Sequence, residues 1–114
     1  MLTIDALREF GADTAEGVAR CMGNEAFYLR MVGMVAADTH MAQLEDALSQ
    51  GNLDAAFEAV HALKGVLANL ALKPVLAPIS QMTELLRART QTDYQPLLQA
   101  AKQEMNKLLA LIGA

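Results

Sequence analysis

Apolar residues recurring at alternating steps of three and four constrain this chain more than any other feature. Near the C-terminus they are Leu98, Ala101, Met105, Leu108 and Ile112; further in, Leu53, Phe57, Val60, Leu67 and Ala71 keep the same rhythm. That period puts each set along one stripe of an α-helix, and such a stripe must be buried against others like it. No run of alternating β-branched residues competes with this pattern. Helix starts and stops are regularly placed. Thr3 caps a short helix ending near Gly11; Asp13 and Glu16 have capping-box spacing and open a second short helix that stops at Gly23. Asn24 caps a long third helix running from Glu25 to about Gln50, where Gly51 supplies the stop. Asn52 caps a fourth, from Leu53 to about Leu72. Lys73-Pro74 interrupts the chain, and Pro78 leaves two starts for the fifth helix: Pro78 itself, or a kinked first turn containing Pro74. This helix continues to about Arg89. Thr92 or Asp93 caps the last helix, which tolerates Pro96 only in its first turn.

The expected fold is therefore all-α: an up-down antiparallel four-helix bundle with one or two short N-terminal helices packed on it, forming one domain over residues 1–114. Its core must be aliphatic. Hydrophobic residues make up 54% of the chain but aromatics only 4%, with no Trp and seven Met to fill irregular gaps. A net charge of −4 disfavours nucleic-acid binding and docking on an anionic membrane. The N-terminal stretch has acids among its apolar residues and lacks the pattern of a signal peptide. No segment reaches the uninterrupted apolar length of a membrane span. The single cysteine, Cys21, cannot pair within the chain and suits a reducing compartment, so a cytoplasmic location is expected. The chain opens on Met and ends just after its last helix, the expectation for a free-standing protein. Nothing demands a dimer, and a monomer is expected.

Few groups could carry chemistry. Phosphate-cradling Gly-rich loops, Cys-x-x-Cys and His-Glu-x-x-His are absent, and neither Ser49 nor Ser80 sits in a nucleophile elbow. Glu58-Ala-Val-His61 matches the Glu-x-x-His spacing of di-iron bundles once, but a second copy and further inward glutamates are missing, so no metal site is expected. His40 reads as a surface histidine in the middle of the long third helix, without a reactive partner. His61 differs. It stands about 100° from the core stripe of the fourth helix, at the border of core and solvent, with Lys64, Gly65 and Ala68 on the same side. Glycine inside a helix costs about 1 kcal/mol relative to alanine, so Gly65 needs a compensating reason. Access is one: without a side chain one turn along, another molecule can approach the imidazole. A histidine titrates near neutrality and offers a neutral nucleophilic nitrogen; Lys64 at i+3 can offset the charge of a phosphorylated product. A boundary histidine beside a chance Lys-Gly is an equally good reading of the residues alone.

His61-Ala62-Leu63-Lys64-Gly65, with Asn69-Leu70 downstream, resembles the signature of histidine-containing phosphotransfer (HPt) domains. The stretches 17–21 and 24–29, and the region after Pro74, are also similar to that family. The resemblance implies that His61 accepts a phosphoryl group from an aspartyl phosphate on a response-regulator receiver domain and passes it to another receiver, in a relay fed by a hybrid histidine kinase. It implies that Lys64 stabilises the phosphoryl oxygens and that Gly65 leaves room. Some members place a glutamine on the next helix near the phosphoryl group; Gln81 is the glutamine there, and Thr83 lies nearer the expected offset. The docking face implied is Ala68 and Leu72 beside His61, with Glu58 and part of the preceding long helix. No cofactor is expected in this chain, a divalent metal being the receiver's contribution. The protein would be a covalent carrier rather than an independent enzyme. The alternative is a degenerate bundle that docks receivers without taking phosphate. Val66 and Ala71 depart from the family pattern, Ala71 standing where a second glycine is common.

Overall fold

The computed structural model describes residues 1–113. Seven α-helices account for most of them: α1 (Ile4–Phe10), α2 (Thr14–Arg20), α3 (Glu25–Gly33), α4 (His40–Ser49), α5 (Leu53–Asn69), α6 (Lys73–Arg87) and α7 (Gln95–Gly113). A 3-10 turn, Met34–Ala37, connects α3 to α4. The caps act as the sequence predicts. Side-chain oxygens of Thr3, Asp13, Asn24 and Asn52 accept from the N–H groups of Ala6, Glu16, Phe27 and Ala55, which would otherwise lack partners in the first turn.

The expected continuous helix from Glu25 to Gln50 is instead broken. Asp38 takes up an extended backbone, with ψ at 133°, and its Oδ1 accepts from the backbone N–H of His40 at 2.8 Å. A short acid that captures the N–H two residues on restarts the helix there rather than continuing it. His40 is accordingly the first residue of α4, not the middle of a helix. Nor is it without a partner: its Nδ1 lies 2.8 Å from Asp38 Oδ1. The fifth helix begins at Lys73, ahead of both prolines. Pro74 lies in its first turn, and Pro78 sits inside it, forgoing the bond to the Pro74 carbonyl. The last helix starts at Gln95, whose N–H donates to Asp93 Oδ1.

Successive helices pack on one another, α4 on α5, α5 on α6 and α6 on α7, while Lys102 of α7 bridges to Glu45 of α4 at 3.0 Å. The core they enclose is aliphatic. Leu44, Val60, Leu63, Leu67, Leu72, Ile79, Met82, Leu86 and Leu108 are all fully buried. Burying each such side chain contributes roughly 1.5–3 kcal/mol, and this packing, more than helix propensity, holds the bundle together.

The N-terminal segment closes the end of this core where α5 meets α6. The Asp13 N–H donates to the Ala71 carbonyl at 3.0 Å, and Lys73 Nζ lies 3.2 Å from Glu16 Oε2. Tyr28, fully buried, donates its hydroxyl to the Leu70 carbonyl at 2.9 Å. Burial, reinforced by Cys21 and Asp13, pushes the Tyr28 phenol up to about 12. Three non-glycine residues follow helices in the left-handed region, Met22 after α2 at φ 59°, Ala71 after α5 at φ 55° and Arg89 after α6 at φ 53°. Ala71 thus takes, with a methyl group, the conformation that a glycine would accept without strain.

Candidate functional site

Helix α5 buries Ala56, Ala59, Val60, Leu63 and Leu67. This inner stripe is rotated from the predicted one: Leu53 and Phe57 are only half-buried. Phe57 packs at the margin of the core and stands one turn from His61 along the helix. His61 is exposed, and no hydrogen bond holds its ring nitrogens among the described residues. Its imidazole stacks on the Phe57 ring, with centroids 5.5 Å apart and planes 25° from parallel. Lys64 is half-buried, and among the described residues no carboxylate pairs with its ammonium. Gly65 is exposed, and a Cβ built on it would meet nothing within 4 Å. The chain's own packing therefore gives no reason for a glycine at that position.

Three cations gather around this edge. Besides Lys64, the guanidinium carbons of Arg89 and Arg87 lie 4.8 Å and 5.4 Å from the Phe57 ring centroid, within cation–π range. Arg89 also pairs with Asp54 of α5 at 2.6 Å. Phe57, Arg87 and Arg89 were not legible as neighbours of His61. The i, i+4 spacing of Phe57 and His61 was available as a signal, but Phe57 also fitted the apolar stripe.

The remaining candidates divide. Glu58 and Gln81 are exposed and Ala68 is half-buried, so each can meet a partner; Gln81 makes no hydrogen bond to His61. Leu72 and Thr83 cannot serve as docking residues. Leu72 is fully buried where α5 gives way to α6, and Thr83 is fully buried with its hydroxyl donating to the Ile79 carbonyl at 2.7 Å. Both face the core because α6 turns its Val75, Ile79, Met82 and Leu86 stripe inward, and Thr83 lies on that stripe's flank. Beyond Gly65, a groove of about 350 Å³ runs between the 3-10 turn and α5, lined by Met31, Met34, Val35, Val66, Asn69 and Leu70. Among the described residues, no cluster of three or more His, Cys, Asp or Glu is placed to hold a metal ion. No helix among the described residues is long and apolar enough to cross a membrane.

The edge of α5 thus presents an exposed imidazole, with Lys64, which no carboxylate pairs among the described residues, and an unfilled gap about one turn further along. A family model described as the Hpt domain matches residues 33–111. The chain belongs to this family, whose members work in phosphotransfer in two-component signalling through receiver domains and kinases. Comparison with curated proteins and with solved structures gives no match. The matched span takes in α4 to α6 and most of α7, and the 17–21 and 24–29 stretches lie outside it.

Proposed function

We propose that this protein is a histidine phosphotransfer carrier in which His61 accepts the phosphoryl group, on a bundle whose α4 to α7 run up and down in turn. The observation that carries the reading is Gly65: a helical glycine costing about 1 kcal/mol, with open space where its side chain would be, one turn from an exposed histidine. Such a gap is useful only to something that comes from outside the chain.

In the reaction, the unprotonated ring nitrogen of His61 attacks the phosphorus of an aspartyl phosphate on a receiver domain. A nitrogen–phosphorus bond forms as the bond from phosphorus to the acyl oxygen breaks, and that oxygen leaves with the electron pair as the receiver's carboxylate. The other ring nitrogen carries the proton and can release it to solvent. Transfer to a second receiver reverses these steps. Lys64 lies one turn from the imidazole and offsets charge on the phosphoryl oxygens as it moves. The receiver brings the divalent metal and its own acidic pocket. Ala68 and the methionine-lined groove beyond Gly65 give the partner apolar surface, with Glu58 and Gln81 at its margin. Methionine suits a surface that must fit more than one partner and then release it. The hybrid kinase, the receivers and this carrier would meet in the cytoplasm, the carrier acting as a monomer.

Incubation with a phosphorylated receiver domain should leave an acid-labile, alkali-stable phosphate on the protein. The His61→Gln variant should take up none. A folded wild type that forms a complex with the receiver yet stays unlabelled would favour an adaptor that docks receivers without being phosphorylated.

A further inference from the structure

Arg89 is held in an unusual way. Its backbone lies in the left-handed region at φ 53°, where a side chain costs about 1 kcal/mol. Its guanidinium is tied at several points. Nε donates to Asp54 Oδ1 at 2.6 Å; Nη1 donates to the Leu86 carbonyl at 2.7 Å and reaches the Arg87 carbonyl at 3.4 Å. The same group lies 4.8 Å from the Phe57 ring centroid. The Leu86 bond adds a side-chain donor to a carbonyl that already accepts from the Arg89 backbone N–H at 3.0 Å, and the Asp54 bond fastens that end to the first turn of α5. Arg87, by contrast, pairs with Glu84 on its own helix at 3.2 Å and makes no ion pair to α5.

Asp54, Phe57 and His61 follow one another on α5 at steps of three and four, so they form one row on the helix surface. Arg89 grips the first, covers the second, and the second stacks on the third. An exposed histidine on a helix otherwise samples several rotamers, and each sampled state away from the attacking geometry slows transfer. We propose that Arg89 is a positioning residue: its guanidinium fixes the Phe57 ring, and the ring restricts the His61 imidazole to one orientation. The proposal rests on the reading of His61 as phosphoryl acceptor. It adds a dependence of transfer on a residue just past the end of α6 that touches neither the imidazole nor the phosphoryl group.

The test uses Arg89→Gly, which keeps the left-handed backbone that suits glycine and removes the side chain with its guanidinium, together with Phe57→Leu and Arg89→Lys. Two quantities are read: the proton shifts of the His61 ring in the unphosphorylated protein, which feel the ring current of Phe57, and the rate of transfer from a phosphorylated receiver. Phe57→Leu should abolish the ring-current shift. Arg89→Gly should move the His61 signals in the same direction, with the helical circular-dichroism spectrum retained. Transfer should slow about three- to tenfold in both. Arg89→Lys keeps the charge without the planar fork and should restore neither quantity fully. His61 shifts in Arg89→Gly equal to those of the wild type, an unchanged rate, or complete rescue by lysine would each overturn the proposal. A wild type that takes up no phosphate would overturn the acceptor reading instead, and the ring shifts would still decide whether Arg89 sets the ring pair.

Discussion

Two glycines lie in the interiors of α-helices of this protein, and their surroundings are opposite. Gly17, in α2, is buried; a Cβ on it would come within 2.3 Å of the Tyr28 ring and 3.0 Å of the Leu70 carbonyl. That space is already filled by an aromatic side chain whose hydroxyl serves the end of α5. Gly65, in α5 itself, is exposed and a Cβ there would meet nothing. The first glycine is required by the fold. The second is tolerated by the fold at about 1 kcal/mol, and the proposed function gives it a use, as room for a partner. Residue type and helical setting are the same; what separates structure from function is whether the vacated volume is occupied by the chain's own atoms.

The comparison can be broken most sharply at Gly17. Gly17→Ala should destabilise the bundle by about 3 kcal/mol, because rigid neighbours must move to admit the methyl group. Urea denaturation checks this, and a loss under about 1 kcal/mol would mean that Tyr28 yields easily. Gly65→Leu should do the reverse. Transfer from a phosphorylated receiver should fall by about a hundredfold, while the better helix former keeps or raises the melting temperature. If transfer survived intact, the access argument would fail.

The Tyr28 side of the comparison is open to pH. The phenol's folded value, about 12, is above its ordinary value of 10.0, so the folded state favours the protonated form. Its contribution is present in full below pH 10 and is lost as pH rises toward 12, on the order of 2 kcal/mol in all. Stability measured across that window should decline, and Tyr28→Phe should flatten the decline even though it starts from a less stable protein. The smallest effect belongs beside the open gap. Lys64→Ala should slow transfer about tenfold with little change in stability, since among the described residues no carboxylate pairs with its ammonium. An equal fall in stability would place Lys64 with the structural group rather than the functional one.

Much of this was legible in the sequence, for a physical reason: caps and stripes are local signals. Thr3, Asp13, Asn24 and Asn52 each act on a backbone N–H three residues on, and the sequence contains that whole interaction. His61, Lys64 and Gly65 lie within a turn or so of one another, so their shared edge followed from helix geometry alone. What escaped was set by competition or by distance along the chain. Asp38 was hidden because an acid within a helix-compatible run does not announce that it will bond to His40 instead of solvent. Phe57 fitted the apolar stripe, and only the packing of α6 shows that the stripe is rotated. Leu72 and Thr83 were placed on the outside by their offsets from His61. Their burial depends on how α6 leaves α5, which no local pattern encodes. The Arg89–Asp54 pair joins residues 35 apart in sequence and gave no sign of itself.

The end of α5 carries one more lesson. Two of its last carbonyl positions, Leu70 and Ala71, are satisfied by Tyr28 and Asp13, both upstream of the family-matched span that begins at residue 33. Trimming the chain to that span would strand two acceptors and uncover the apolar junction they guard, at the foot of the rod that bears the imidazole. The stretch by which kinship is recognised therefore leaves out the helices that seal its own junction, a plug seated at the base of α5.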